Sequence, residues 1–219
     1  MKLFEYVPLA IRTEKPLPQL ERFVHGCMGL VTEIGEITTE IKRMHIYGKP
    51  FDEERKVHIL EEVGDVMWYI AILLDECIKP QDMLKGFPDY PVGQGAPHWD
   101  SMVLGLGVHC GKICACTQNI IHGDYLPTDA LVEMSMAIGV IISRMAVLAV
   151  ACDSTLGEAM AQNIAKLQVR YPDKYSNEAA EGRADKAGAD ARKSHSNPTL
   201  VDKLFILVML FTKLILKSN

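Results

Sequence analysis

Two long runs of this chain place apolar residues three or four positions apart with no proline inside them. From about Leu20 to Met44 these are Phe23, Cys27, Leu30, Ile34, Ile37 and Ile41. From about Glu53 to Ile78 they include Val57, Leu60, Val63, Val66, Met67, Ile70, Leu73 and Leu74. A period near 3.6 gathers each set on one face of an α-helix, whereas a half-buried strand needs strict alternation. Tyr47-Gly48-Lys49-Pro50 breaks the first run, and Lys79-Pro80 ends the second. Asp52 is the expected N-cap of the second helix. Glu53 and Glu54 follow it in the first turn, where negative charge meets the positive end of the helix dipole. The two runs therefore predict a helical hairpin.

The pattern resumes after a Pro/Gly-rich interval. Helices are expected over about Ser101–Ile121, over about Asp129–Ala151, and over Leu156–Arg170, which Tyr171-Pro172 stops. Thr155 is the expected N-cap of the last helix, and Glu158 completes a capping box. The predicted fold is all-α. Two tandem hairpins form a four-helix-bundle-like core, and a C-terminal helix and tail follow. The expected layout is an irregular arm over 1–20, where Pro8, Pro16 and Pro18 crowd, and an all-α domain over 21–175. Within the domain lie a first hairpin at 21–79, a linker at 80–100, a second hairpin at 101–152 and a helix at 155–171. A polar linker over 176–198 and an apolar tail over 199–219 complete the chain.

The hairpins read as an internal duplication. At an offset of 76, Gly29-Leu30 meets Gly105-Leu106, Gly35 meets Gly111 and Ile37 meets Ile113. After a one-residue gap, Gly64 meets Gly139, Ala71 meets Ala146, Leu73 meets Leu148 and Cys77 meets Cys152.

The first hairpin carries acids inside its apolar stripe. Glu33 and Glu36 lie between Leu30 and Ile37, and Glu62 and Asp65 lie within the stripe from Leu60 to Val66. Residues three apart share a helix face, so the pattern aims four carboxylates at the bundle interior. Buried like charges repel and lose hydration, and a hard cation removes that penalty. Mg²⁺ is the expected ion, with Mn²⁺ as the alternative. Gly35 and Gly64 sit inside the two acid pairs. A mid-helix glycine is about 1 kcal/mol less favourable than alanine, so each points to close approach of a helix or ligand. Glu40 and Glu61 fall off this spacing and read as surface. In the second hairpin the equivalent positions are His109, Lys112, Ala137 and Val140. That half is degenerate and holds no such ion.

Glu-x-x-Glu, a turn, then Glu-x-x-Asp is similar to the pattern of the MazG-like all-α NTP pyrophosphohydrolase superfamily, which includes phage and bacterial nucleotide pyrophosphohydrolases. Gly29-Leu-Val-Thr-Glu-Ile-Gly-Glu-Ile-Thr-Thr-Glu-Ile-Lys42 resembles its first metal-binding helix. Glu61-Glu-Val-Gly-Asp-Val-Met-Trp-Tyr-Ile70 resembles the second, and Asn163-Ile-Ala-Lys-Leu-Gln-Val-Arg-Tyr-Pro-Asp-Lys-Tyr-Ser176 the segment that follows. Tyr6 and Ala10-Ile-Arg12-Thr13 fit its start. The likeness covers about residues 5–80 and 155–185. The acid-free hairpin at 100–150 departs from the short members and mimics the second protomer of dimeric ones.

The resemblance implies hydrolysis of a (deoxy)nucleoside triphosphate between the α and β phosphates, giving the monophosphate and pyrophosphate. It implies Glu33, Glu36, Glu62 and Asp65 as metal ligands, with Glu36 and Glu33 as the catalytic carboxylates. Glu36 would orient or deprotonate the attacking water. Lys166 and Arg170, four apart on one helix face, are candidates for phosphate contacts, and Asn163 for sugar or phosphate. Trp68 and Tyr69 are candidates for the base, with ordinary core packing as the competing role. Lys42, closing the first helix, is a further substrate candidate. The expected partners are the nucleotide and a second copy of the chain, unless the second hairpin makes it a single-chain pseudo-dimer.

Charge excludes another class. The 23 Lys+Arg against 28 Asp+Glu give a net charge of −5, the wrong sign for a general nucleic-acid binder. Six cysteines in 219 residues are too few for a disulfide framework and read as thiols of a reducing compartment. His109-Cys110 with Cys114 and Cys116 reads as small buried residues rather than a zinc site. Met1–Tyr6 lacks the apolar core of a signal peptide, so a cytoplasmic location is expected. The apolar stretch Leu204–Leu216 is shorter than the roughly 20 residues that span a membrane and reads as an interfacial or self-association segment. Two other functions fit the same residues: a narrow dUTP/dCTP or purine dNTP diphosphatase, and a non-catalytic nucleotide-binding or helical assembly protein.

Overall fold

A computed structural model describes residues 1–78, 97–123 and 128–182. It contains α1 (Leu3–Ile11), α2 (Gln19–His45), α3 (Glu53–Cys77), α4 (Trp99–His122), α5 (Thr128–Ala151), α6 (Leu156–Arg170) and α7 (Asn177–Gly182). No strand occurs among the described residues, and the fold is all-α.

Local chemistry sets several helix ends. The Asp52 carboxylate accepts from the backbone N–H of Arg55 at 3.1 Å. At the start of α6, Glu158 N–H donates to Thr155 Oγ1 at 3.1 Å and Thr155 N–H donates to Glu158 Oε2 at 2.8 Å, a complete capping box. After α2, Gly48 takes a φ of 63°, a conformation open to glycine at no steric cost, and the chain turns toward Pro50.

Two segments differ from the sequence reading. The expected irregular arm contains α1, although Pro8 lies inside it. Tyr6, Val7 and Ala10 are fully buried, and α1 packs on α3 and α6. Burial of a large apolar side chain is worth about 1.5–3 kcal/mol, which offsets the hydrogen bond that Pro8 cannot donate. The expected linker from residue 176 opens with the short helix α7, where the Ser176 hydroxyl accepts from Ala179 N–H at 3.1 Å. The rest of that linker, the apolar tail and most of the interval between the hairpins lie outside the described residues.

Helices α2 and α3 pair, as do α4 and α5; α2 also packs on α4, and α3 on α5. Sequence-equivalent helices thus contact each other, as an isologous two-fold arrangement requires. The repeat's glycines make the same point. A Cβ on Gly29 would overlap the ring of Tyr69, and one on Gly105 would overlap the guanidinium of Arg144. Tyr69 and Arg144 are themselves equivalent in the repeat. In each hairpin, a glycine of the first helix leaves a notch that a long side chain of the second fills. Gly29→Ala is therefore expected to destabilise the fold by about 1–3 kcal/mol through overpacking, seen as a lowered Tm; an unchanged Tm would show that Tyr69 has another place to go.

Helix α3 is the centre of the fold. It packs on α1, α2, α5 and α6. Ile59, Val63, Val66, Met67, Ile70, Leu73 and Leu74 are all fully buried, more than one face of a helix can supply. Among the described residues one helix, Ala130–Ala151, is long and apolar enough to cross a membrane. Half of its apolar window is buried, with Met134, Ile138, Ile141 and Met145 in the core. The cysteines are free thiols. Cys114 Sγ of α4 stands 3.4 Å from Cys27 Sγ of α2.

Candidate metal centre

The antiparallel run of α2 against α3 brings Glu33 and Glu36 opposite Glu62 and Asp65. Ligand atoms of Glu33, Glu62 and Asp65 all lie within 4.8 Å of one another, and so do those of Glu36, His58 and Glu62. Glu62 belongs to both groups. The four acids are not equally interior, as the spacing alone implies. Glu62 is buried, Glu33 and Asp65 are half-buried, and Glu36 is exposed. The two glycines also stand in different surroundings. A Cβ on Gly64 would stand 3.0 Å from Asn163 Cβ and 3.4 Å from the Ala159 carbonyl oxygen, because α6 covers that face of α3. A Cβ on Gly35 would meet nothing within 4 Å among the described residues.

The carboxylates are out of balance by themselves. Burial first, then the hydrogen bond to Glu33 and the charges of Glu36 and Asp65, push the Glu62 carboxyl up to about 8. Burial also raises Glu33, helped by the charges of Asp65 and Glu36 and opposed by its hydrogen bond with Glu62. Without a cation, the pair holds a proton near neutral pH. A carboxyl whose folded pKa lies above its unfolded value of about 4.5 stabilises the fold at low pH and loses that contribution as pH rises through the folded value. In EDTA, Tm is therefore expected to fall between about pH 5 and pH 9, by roughly 5 °C for a domain of this size. Saturating Mg²⁺ should flatten the slope. A Tm that climbs over this range in EDTA would contradict the assignment.

Helix α6 completes one side. Lys166 Nζ reaches both oxygens of Asp65, at 2.6 Å for Oδ2, and Asn163 Nδ2 donates to Asp65 Oδ1 at 2.8 Å. The Tyr6 hydroxyl donates to Asn163 Oδ1 at 2.8 Å, fixing the amide's orientation. Tyr6 is a site residue that the sequence reading quotes only as part of the N-terminal likeness. Its phenol is pushed far above the usual range by burial and then by the Asp65 charge.

Tyr69 borders the acids. Burial first, then the charges of Glu33 and Asp65, push its phenol up to about 12. The Arg170 guanidinium lies 5.9 Å from the centre of the Tyr171 ring. Trp68 is turned elsewhere: its Nε1 donates to the Ala10 carbonyl at 3.1 Å and to Thr13 Oγ1 at 3.0 Å, tying α3 to the end of α1. Lys42 is exposed in the last turn of α2, and no hydrogen bond or ion pair of its side chain is found among the described residues. Glu33, Glu62, Asp65, Asn163, Lys166 and Tyr69 thus converge, with Glu36 at the open edge. Trp68 and Lys42 are not brought to them.

Glu40 corrects the sequence reading. It is buried rather than surface, because Arg55 of α3 meets it at 2.9 Å and Arg43 pairs with it from its own helix. Glu61 is exposed, as its position predicts. His58 is a neighbour of the acids that lies outside the acid motif. Its Nε2 stands 3.7 Å from Glu62 Oε1, and the four-residue spacing between them was the available signal. No family model, no curated protein and no solved structure matches this chain.

Proposed function

We propose that the protein is a Mg²⁺-dependent nucleoside triphosphate pyrophosphohydrolase, cleaving between the α and β phosphates of a (deoxy)nucleoside triphosphate. The observation that carries this reading is the clustering of carboxylates across α2 and α3: Glu33, Glu62 and Asp65 form one group, and Glu36 joins through a second group that shares Glu62. So repulsive a set is a poor structural device and a good trap for a hard dication. Glu33, Glu62 and Asp65 would hold the ion, with Glu36 beside them. When bound, Mg²⁺ or Mn²⁺ supplies charge neutralisation and Lewis acidity toward the phosphates.

The chain's own groups supply the rest. Glu36 is a solvent-facing carboxylate that can align a water and take its proton. Lys166 brings an ammonium to Asp65, where polyphosphate charge would gather, and Arg170 follows one turn later on α6. Asn163, held by Tyr6, keeps Asp65 in place. Tyr69, whose phenol feels the charges of Glu33 and Asp65, is the aromatic candidate for the base, and the bonds of Trp68 to α1 support a structural role for that indole. The contacts between equivalent helices support a single-chain pseudo-dimer.

The test is a panel of NTPs and dNTPs with Mg²⁺, run beside Glu36→Gln. The expected products are pyrophosphate and monophosphate, with turnover reduced about 100-fold or more in the variant. Orthophosphate as the product would mean that another bond is cut. No turnover by folded, metal-loaded protein would shift the reading to nucleotide binding or helical assembly.

A further inference from the structure

Beside the all-oxygen group lies one of different chemistry. Glu36, His58 and Glu62 place one oxygen, one ring nitrogen and one oxygen within 4.8 Å of each other. His58 and Glu62 are four apart on α3 and share a face, and Glu36 comes from α2 across the hairpin. The imidazole is not occupied by other work. Its Nδ1 is shut off from solvent without a hydrogen-bond partner, and its Nε2 stands 3.7 Å from Glu62 Oε1, too far for a hydrogen bond. The imidazole as a whole is 37% exposed, so the cost of a missing partner falls on its enclosed Nδ1 alone. The cations nearby are committed: Lys166 to Asp65, and Arg43 and Arg55 to Glu40. Donors around one ion with bonds near 2.1 Å stand about 3–3.5 Å apart, so modest side-chain rotation would close this group on an ion.

We propose that His58 completes a second cation site, Glu36–His58–Glu62, which shares Glu62 with the oxygen site and takes a first-row transition-metal dication in preference to Mg²⁺. The ligand set decides the class of ion. Mg²⁺ favours oxygen donors and parts reluctantly with water, whereas imidazole suits Mn²⁺, Co²⁺ and Zn²⁺ increasingly well. The Glu33–Glu62–Asp65 group, with oxygen alone, has no such bias. The shared carboxylate makes the two sites neighbours and lets one chain hold a hard ion and a borderline one together. This assignment rests on the reading of the acids as a cation centre, yet it does not require turnover.

The experiment uses the full chain, stripped with chelator and without nucleotide. Co²⁺ is titrated by calorimetry and by its visible absorption, and Mg²⁺ is titrated in parallel. In the wild type, Co²⁺ is expected to bind at least about tenfold more tightly than Mg²⁺. His58→Gln should lose most of that preference and its absorption signature, while the Mg²⁺ affinity changes less than about twofold. Equal losses for both ions, or a Co²⁺ spectrum indifferent to His58, would overturn the proposal. Should the variant fold poorly, Zn²⁺ added to the wild type must shift the His58 ring nitrogens in ¹⁵N NMR, and their constancy would overturn it equally. His58-dependent Co²⁺ binding in a protein that turns over no nucleotide would uphold the second site and sink the hydrolase reading alone.

Discussion

Replacing Glu62 with glutamine is expected to stabilise the metal-free protein and to abolish its activity. Glu62 is buried, meets Glu33 through a hydrogen bond and feels the charges of Glu36 and Asp65. At pH 8 and above, its ionised form opposes folding. Glutamine keeps the shape and removes the charge. Water reaches part of the site and screens the repulsion, so the gain is put at about 2 kcal/mol rather than the full value of the shift. That corresponds to a rise in Tm of roughly 5 °C in EDTA at pH 8–9. The same change removes the carboxylate shared by both ligand groups, and pyrophosphate release should fall about 1,000-fold or more. Mg²⁺ should raise the Tm of the wild type more than that of the variant, because only ions bound by the folded state stabilise it. A variant less stable than the wild type in EDTA would show that the acids are not strained. Stability sacrificed at a reactive site is a familiar trade.

The second large effect lies far along α2 from the acids. Arg22 meets Glu14 at 2.8 Å and Asp75 at 2.8 Å, and it also pairs with Glu76. Glu76 accepts a further bond from Gln19 Nε2 at 2.8 Å. Arg22 is 16% exposed, Glu14 5%, Asp75 13% and Glu76 4%, so these charges are well removed from water. Despite burial, hydrogen bonds from His25 and Arg22 hold the Glu14 carboxyl below its ordinary range. Its contribution is therefore present above that range and lost as pH falls through the depressed value. Arg22→Met would leave three mostly buried carboxylates without their shared guanidinium. Breaking a buried pair in this way costs about 3–5 kcal/mol, a drop in Tm on the order of 10 °C for a domain this long. Arg22→Lys should recover only part of it, since one ammonium cannot fork to three carboxylates. A loss below about 1 kcal/mol in urea unfolding would mean that water screens the cluster as it does a surface pair.

The two effects separate the short-range from the long-range content of the chain. The ends of α3 and α6 were legible because caps and breakers act within one turn: Asp52, Thr155 with Glu158, and Tyr171-Pro172 meet groups three or four residues away. The likeness of the two hairpins was legible too, and the notches at Gly29 and Gly105 give it a packing counterpart. The acid quartet was legible as a motif, because three-residue spacing fixes a shared face whatever the surroundings. The helix over Leu3–Ile11 was not, since its support comes from α3 and α6 rather than from its own proline-bearing sequence.

By itself, then, the sequence determined an all-α chain with two similarly patterned hairpins and four acids set face to face on the first. Only the tertiary structure decided how unlike those four acids are. Helix α3 runs through the middle of the fold, covered by α1, α5 and α6 as well as α2, so its Glu62 is buried and protonates readily. Among the described residues no helix lies over α2 beside Gly35, and its Glu36 is exposed. The same rule buries Glu40 against Arg55, turns Trp68 toward α1, and brings Lys166, Asn163 and Tyr6 to Asp65 from the two ends of the described chain. Periodicity tells which side of a helix is apolar. Burial, and with it the charge a carboxyl can carry, depends on how many other helices arrive there.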